Sequence, residues 1–390
     1  MLINGERALA YTVTIDSITP IEGADNIELA HVGGWCVIIR KQEYKPGDMA
    51  IFCEIDSKLP EKEWSEFLRP KKFKVKTYRL GKFKVISQGL LLPMSILPEG
   101  NYEIHTDVTK TLGITYYVAE DNARKAKTNP NAKYDNMCIR NKKFAYKRWW
   151  KWLMKRLWGR KLLFAFFGSK KDNPKKFPSW IKKTDEDRIE NCMWMLDNKD
   201  PFVVTEKIDG TSTTFFIDYT KSKRKPEFGV CSRNVRQVDM DQDTYFDCQN
   251  VYWEMCFQYE IEDALKSIAK EYNVDRVVLQ GETYGESVQG NPYKLKERKF
   301  AAFNLVFNGE RLGSLKAKSI LDKYDIPFVP IIDENYILPD REDFEEFKKS
   351  ADGMSTINKQ TRREGFVYRS QDGKQSFKNI SRNFLLKKKD

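Results

Sequence analysis

Two apolar runs, Phe202 to Val204 and Thr211 to Ile217, flank the hexapeptide Thr205-Glu206-Lys207-Ile208-Asp209-Gly210. This arrangement constrains the fold more than any other stretch. The runs are rich in β-branched and aromatic residues, and glycine closes the polar interval, so the pattern predicts two strands joined by a turn. A lysine and an aspartate two residues apart at such a turn can present an amine and a carboxylate to one phosphate-bearing ligand. The same residues also suit an ordinary strand-turn-strand with a solvated lysine. In a chain holding 68 lysines and arginines, Lys-x-Asp-Gly alone does not decide between the two.

A chain of 390 residues with 41% apolar content has room for two domains with proper cores. It has no uninterrupted apolar run long enough to cross a bilayer, and Met1-Leu2-Ile3-Asn4-Gly5-Glu6-Arg7 lacks the basic-then-apolar pattern of a signal peptide. The expectation is an intracellular, cytoplasmic protein. The seven cysteines are scattered without a Cys-x-x-Cys pair, and only His31 and His105 could join them. That argues against a disulfide framework, a zinc module and a histidine base, and for a reducing compartment.

The net charge of +12 is concentrated. From Arg140 to Lys171 there are 12 Lys or Arg and no Asp or Glu, so this segment alone equals the whole excess. It interleaves those cations with Trp149-Trp150-Lys151-Trp152, Lys155-Arg156-Leu157-Trp158 and Leu162 to Phe167. Three readings fit: a nucleic-acid surface, a helix lying on an anionic membrane, or an inter-domain helix packed on a neighbour.

Ahead of this segment the chain reads as a small all-β unit. Tyr11 to Ile15, Trp35 to Ile39 and Met49 to Cys53 are short β-rich runs bounded by Gly33-Gly34 and Lys45-Pro46-Gly47-Asp48, which suggests a barrel or sandwich. Lys72-Phe73-Lys74-Val75-Lys76 and Lys82-Phe83-Lys84-Val85 alternate cation and apolar residue, predicting strands with one lysine face. Behind the segment the chain becomes mixed α/β. Thr184 followed by Asp185, Glu186 and Asp187 predicts a capped helix start leading toward Lys207.

Four clusters follow Lys207 in order: Cys231-Ser232-Arg233-Asn234; Leu279-Gln280-Gly281-Glu282 with Gln289-Gly290-Asn291-Pro292-Tyr293 behind it; Phe300 to Leu305; and Glu364 to Arg369 leading into Ser376-Phe377-Lys378. Together they hold a nucleophile, an aromatic for a base, carboxylates for a ribose or a metal, and a second cation. The series resembles nucleotidyltransferase motifs I, Ia, III, IIIa, IV and V of the lysine-adenylylating superfamily of DNA ligases, RNA ligases and mRNA capping enzymes. Gly23-Ala24-Asp25-Asn26-Ile27-Glu28, Gly33-Gly34-Trp35, Lys45-Pro46-Gly47-Asp48, Ser87-Gln88-Gly89-Leu90, Phe177-Pro178-Ser179-Trp180 and Gln289 to Leu295 make it most similar to ATP-dependent RNA ligases with an N-terminal OB domain, the Naegleria and Deinococcus type.

The resemblance implies an α+β chain: an OB-fold β-barrel over 1–118, a basic aromatic insertion over 119–175, and over 176–390 a nucleotidyltransferase domain of antiparallel sheets with flanking helices. Only 12 residues follow Lys378, leaving no room for the OB domain that DNA ligases and capping enzymes carry there. The implied chemistry joins 3′-hydroxyl and 5′-phosphate RNA ends through lysyl-AMP, using ATP and Mg²⁺ or Mn²⁺. Lys207 would take AMP, Asp209 and Glu364 would hold the metal, and Glu282 would contact the ribose. Phe303 would pack on adenine, Glu206 would meet the adenine edge, Arg233 and Asn234 would contact ribose or the RNA end, and Lys378, with Lys374 as a second cation, would grip phosphate. RNA is the expected partner of a monomer with no obligate protein partner. DNA nick sealing, RNA capping and a degenerate, non-enzymatic RNA-binding protein are the alternatives.

Overall fold

The computed structural model describes residues 1–3, 6–117, 134, 137–138, 141–145, 147–168, 175–237 and 250–387. Much of the expected 119–175 insertion, and Cys248, lie outside them. The N-terminal unit is built from two three-stranded antiparallel sheets. One has the order Leu90–Pro93, Met49–Cys53, Ala10–Thr14, and the other Ser17–Pro20, Ile27–Val32, Trp35–Arg40. Tyr11, Val13, Trp35, Val37 and Phe52 point inward between them, as the period of two in these runs requires.

The lysine-alternating strands do not form. Lys72 and Phe73 have positive φ in the turn after Glu63–Lys71, and Lys82 to Lys84 form the turn of the hairpin Thr77–Leu80/Val85–Gln88. Chain reversal takes precedence over the binary pattern at both places: Phe73 and Val75 are wanted in the core, and Lys74 is drawn down with them.

The C-terminal unit carries two sheets. A seven-stranded sheet centres on Thr211–Asp218, Arg276–Gly285 and Arg298–Phe307; a five-stranded sheet runs Asp187–Arg188, Ser376–Ile380, Gly365–Ser370, Phe202–Lys207, Ile331–Tyr336. Helices pack on the larger sheet, Ser314–Asp322 among them. Val251–Gln258 starts on Asn250, whose side chain accepts from the amides of Tyr252 and Trp253. Ile261–Glu271 buries Ile261, Ala264, Leu265, Ile268 and Ala269, the i, i+3, i+4, i+7, i+8 stripe of a surface helix.

The helix expected from Thr184 is absent. Residues 184–186 are irregular, Asp187–Arg188 is a short strand parallel to Ser376–Ile380, and Ile189–Asn191 is a single 3₁₀ turn. The acids that would favour a helix N-terminus are engaged elsewhere. Glu186 pairs with Arg311 and Arg369, and Asp185 with Arg233.

This segment is also where the N-terminal unit docks. The Gly34 amide donates to the Glu190 carbonyl at 2.9 Å, the Trp35 indole to Asn191 Oδ1 at 2.6 Å, and the Leu2 amide to Asp187 Oδ2 at 3.0 Å. A Cβ on Gly34 would stand 2.7 Å from the Glu190 Cα, so only glycine allows this approach.

Candidate active site

Lys207 ends the strand Phe202–Lys207 of the five-stranded sheet, and by Thr211 the chain has entered the seven-stranded one. The three-residue crossing therefore lies between the sheets. Phe202, Val203 and Val204 are buried and anchor it; deleting a ring such as Phe202 typically costs about 3–5 kcal/mol. Gly210 is obligatory for space, since a Cβ there would lie 2.4 Å from the Thr283 carbonyl oxygen. The Asp209 amide donates to the Tyr293 hydroxyl at 2.7 Å, which explains the Gln289 to Tyr293 cluster as a buttress for this turn.

Around the crossing lies a cleft of about 460 Å³, of the size that holds a small ligand. Both units line it: Arg7, Asp56, Lys76, Tyr116 and Tyr117 from the first, and Lys207, Asp209, Arg233, Glu282, Phe303, Glu364 and Lys378 among those of the second. The Lys207 ammonium sits 2.8 Å from Glu364 Oε2. Burial works to lower the Lys207 pKa, but the carboxylates of Glu364, Glu282 and Asp209 outweigh it and hold the amine above its ordinary value. Glu282 is pushed up to about 8, first by burial and then by Glu364 and Asp209, against the pull of Lys207.

Lys378 is the reverse case. Burial pulls it down to about 8, with Arg188, Arg7 and Lys207 adding repulsion that Asp185, 3.7 Å away, only partly offsets.

Phe303 reaches the cleft by a β-bulge. Gln280 pairs with Asn304 and the adjacent Gly281 with Ala302, so Phe303 falls out of the ladder and is re-aimed. Its ring lies against Ile208 and Val329, with the Arg369 guanidinium 5.6 Å away. Asn304 donates to Gln280 Oε1 at 3.0 Å and does not line the cleft. Glu206 accepts at one oxygen from the Thr356 amide and hydroxyl, while its buried Oε1 has no partner.

Two expected residues are not brought to the cleft. Lys374 lies in the turn between Gly365–Ser370 and Ser376–Ile380, its side chain 83% exposed and 3.3 Å from Asp372. It stands beyond one end of the strand whose middle carries Lys378 and does not line the cleft. Asn234 is exposed in the turn after Glu227–Ser232 and is likewise not a lining residue.

Cations that line the cleft without having been assigned to it from the sequence include Arg188, Arg369, Arg7 and Lys76. Arg188 is 3.6 Å from Asp56, yet its buried Nε and Nη1 have no hydrogen-bond partner. Unmet guanidinium donors in a cleft suit an anion.

Among the described residues no group of three His, Cys, Asp or Glu converges on one point. Mg²⁺ or Mn²⁺ needs only one or two carboxylates, with water and phosphate completing its shell. Glu364 and Asp209, both on the cleft and both facing Lys207, are the donors of that kind.

Two sheets meeting at a lysine-bearing crossing, with paired carboxylates and a barrel closing the cleft, define a lysine nucleotidyltransferase with an auxiliary β-barrel. Residues 9–94 match an OB-fold domain family and residues 200–389 the RNA ligase family. The chain belongs to the RNA ligases that carry an N-terminal OB domain. It is similar to Naegleria gruberi RNA ligase solved with pyrophosphate, at 29% identity and a TM-score of 0.74 over 98% of this chain and 99% of that one. A lysine-to-alanine variant of the same ligase, solved with ATP and Mn, matches at 28% identity and 0.74 over 97% of each chain. A glutamate-to-alanine variant with AMP and Mn matches at 28% and 0.72, over 97% of this chain and 98% of that one. No curated protein sequence matches the chain.

Proposed function

We propose that this chain seals RNA by accepting AMP from ATP on Lys207, in the three-domain division of 1–118, 119–175 and 176–390 set out above. The observation that carries the assignment of roles is the convergence of Lys207, Glu364, Glu282, Asp209 and Lys378 on one cleft. In the first step Lys207 Nζ attacks the α-phosphorus, a phosphorus–nitrogen bond forms, and pyrophosphate leaves. In the second, a 5′-phosphate oxygen of RNA attacks the same phosphorus and the lysine leaves. In the third, a 3′-hydroxyl attacks the 5′-phosphorus and AMP departs.

The residues match what these steps demand. An amine of ordinary pKa 10.5 loses its proton at pH 7 at a cost of roughly 5 kcal/mol, and the surrounding carboxylates raise that cost further. A divalent cation on Glu364 and Asp209 would supply positive charge that lowers the cost and offsets charge building on the phosphate. Lys378 and Arg188 place positive charge where phosphate oxygens need it. The open Oε1 of Glu206 suits the amino group of adenine, and Phe303 offers a face for the ring.

The test uses ATP radiolabelled at the α-phosphate with Mg²⁺. The wild-type chain is expected to become covalently labelled and Lys207→Ala is not. Equal labelling of the variant would remove Lys207 from its role, and labelling by GTP in place of ATP would turn the reading toward capping.

A further inference from the structure

We infer that the helical hairpin spanning 148–167 is a docking surface for an anionic lipid bilayer, distinct from the ligase cleft. Its helices, Arg148–Met154 and Leu157–Phe167, fold back through a tight turn. A Cβ on Gly159 would lie 2.2 Å from the Leu153 carbonyl oxygen, so this glycine sets the approach. The inner side has its own core of Trp150 and Leu163 with Tyr134 and Met137, and the Trp150 indole is satisfied by Cys138 Sγ at 3.2 Å. The apolar residues left outside are therefore not spare core.

They are Trp149, Trp152, Leu157, Trp158, Leu162 and Phe166. Leu157 is 75% exposed and Phe166 76%. Among them stand the exposed cations Lys147, Arg148, Lys155, Arg156 and Lys161, with no acid anywhere from Arg140 to Lys171. Arg156 lies 3.9 Å over the Trp152 ring, and Trp152 meets Trp158 edge to face at 5.9 Å. Indoles joined to cations beside exposed leucine and phenylalanine side chains match the headgroup layer, where the rings sit at the interface and the cations meet anionic lipid.

Two further observations set the occupant. No hairpin residue lines the catalytic cleft, so the surface is not part of the site that takes the reacting ends. Trp149, Trp152, Trp158 and Phe166 could stack on bases, but the exposed Leu157 and Leu162 could not, and such aliphatic groups gain only by leaving water. No described helix is long and apolar enough to cross a membrane, so the hairpin would lie in the plane of the interface.

The test floats the full-length protein with vesicles of phosphatidylcholine containing about 30% phosphatidylserine, and with phosphatidylcholine alone. Binding to the anionic vesicles is expected to be at least about tenfold tighter, with a blue shift of tryptophan emission. The combined Leu157→Ser, Trp158→Ser and Phe166→Ser variant should lose about tenfold or more, and Lys155→Glu with Arg156→Glu should lose the anionic preference. Self-adenylylation and melting temperature, read alongside, show that both variants fold, and the charge variant keeps the test decisive if the apolar one does not.

Absence of wild-type flotation, or flotation indifferent to both variants, overturns the proposal. So does loss of duplex RNA binding without vesicle binding, which would make the surface an RNA contact. Conversion of a wild-type dimer to monomer in the apolar variant, without flotation, would make the occupant a second copy and overturn it equally.

Discussion

The catalytic cleft and the basic hairpin are both rich in cations and aromatic rings, but they treat charge in opposite ways. In the cleft Lys207 faces Glu364, Arg233 and Lys378 face Asp185, and Arg369 faces Glu186. In the hairpin three exposed tryptophans, two leucines and a phenylalanine stand among cations with no acid in the segment at all. Opposed charges inside a cleft shift pKa values and can be exchanged for a ligand's charges, which is what group transfer uses. Unopposed charges on an open surface attract but do no chemistry. Charge density marks both places, and the nature of the partners tells them apart.

The comparison breaks most easily at Lys378. If its ammonium serves phosphate, Lys378→Ala should lower the rate of self-adenylylation by on the order of 10²-fold or more, measured by single-turnover labelling; a loss under threefold would make it a structural cation. Arg188→Ala is expected to cost roughly 10-fold or more in the same assay, mostly in the apparent affinity for ATP, because its unmet donors point to an anion. An unchanged affinity would leave those donors without a ligand.

Glu282 sharpens the comparison through pH. The native carboxyl keeps a proton up to about 8 that the unfolded chain releases near 4.5. The unfolded state binds fewer protons in that window, so stability drains away as pH climbs from 4.5 toward 8 and the loss stays constant above. Glu282→Gln should therefore melt higher than wild type, with the gap widening between pH 5 and 8 in scanning calorimetry. A constant gap would mean that Glu282 ionises normally. The smallest effect is expected at Lys374: Lys374→Ala should leave labelling within about twofold of wild type, as exposed ion pairs contribute little.

Much of the site was legible because its residues lie close to short, ordered landmarks. Lys207, Asp209, Glu282, Phe303, Glu364 and Lys378 all line the cleft that the structure forms. What was hidden depended on long-range contacts. Arg188 stood inside a stretch whose threonine and acids read as a helix start, and that preference is real, but Arg233, Arg311 and Arg369 come from far along the chain to claim the acids. The Phe303 bulge needs knowledge of its partner strand, since one slipped residue opposite Gln280 and Gly281 leaves no local signature. Lysines 72 to 84 show the converse: alternation was read as strand where positive φ at Lys72, Phe73 and Lys84 turns the chain back.

The seam at residues 187–191 bears on how the molecule comes apart. Asn191 takes the Trp35 indole at 2.6 Å and donates to Glu54 at 2.7 Å, while its neighbour Glu190 is locked to the fully buried Lys348. Arg188, which lines the cleft, sits inside this same five-residue seam. Opening the seam would strip Asn191 of both its Trp35 and its Glu54 partners, and a calorimeter should record one cooperative transition for barrel and ligase domain rather than two. A change on the barrel face of the seam therefore reaches a stretch of chain that lines the cleft.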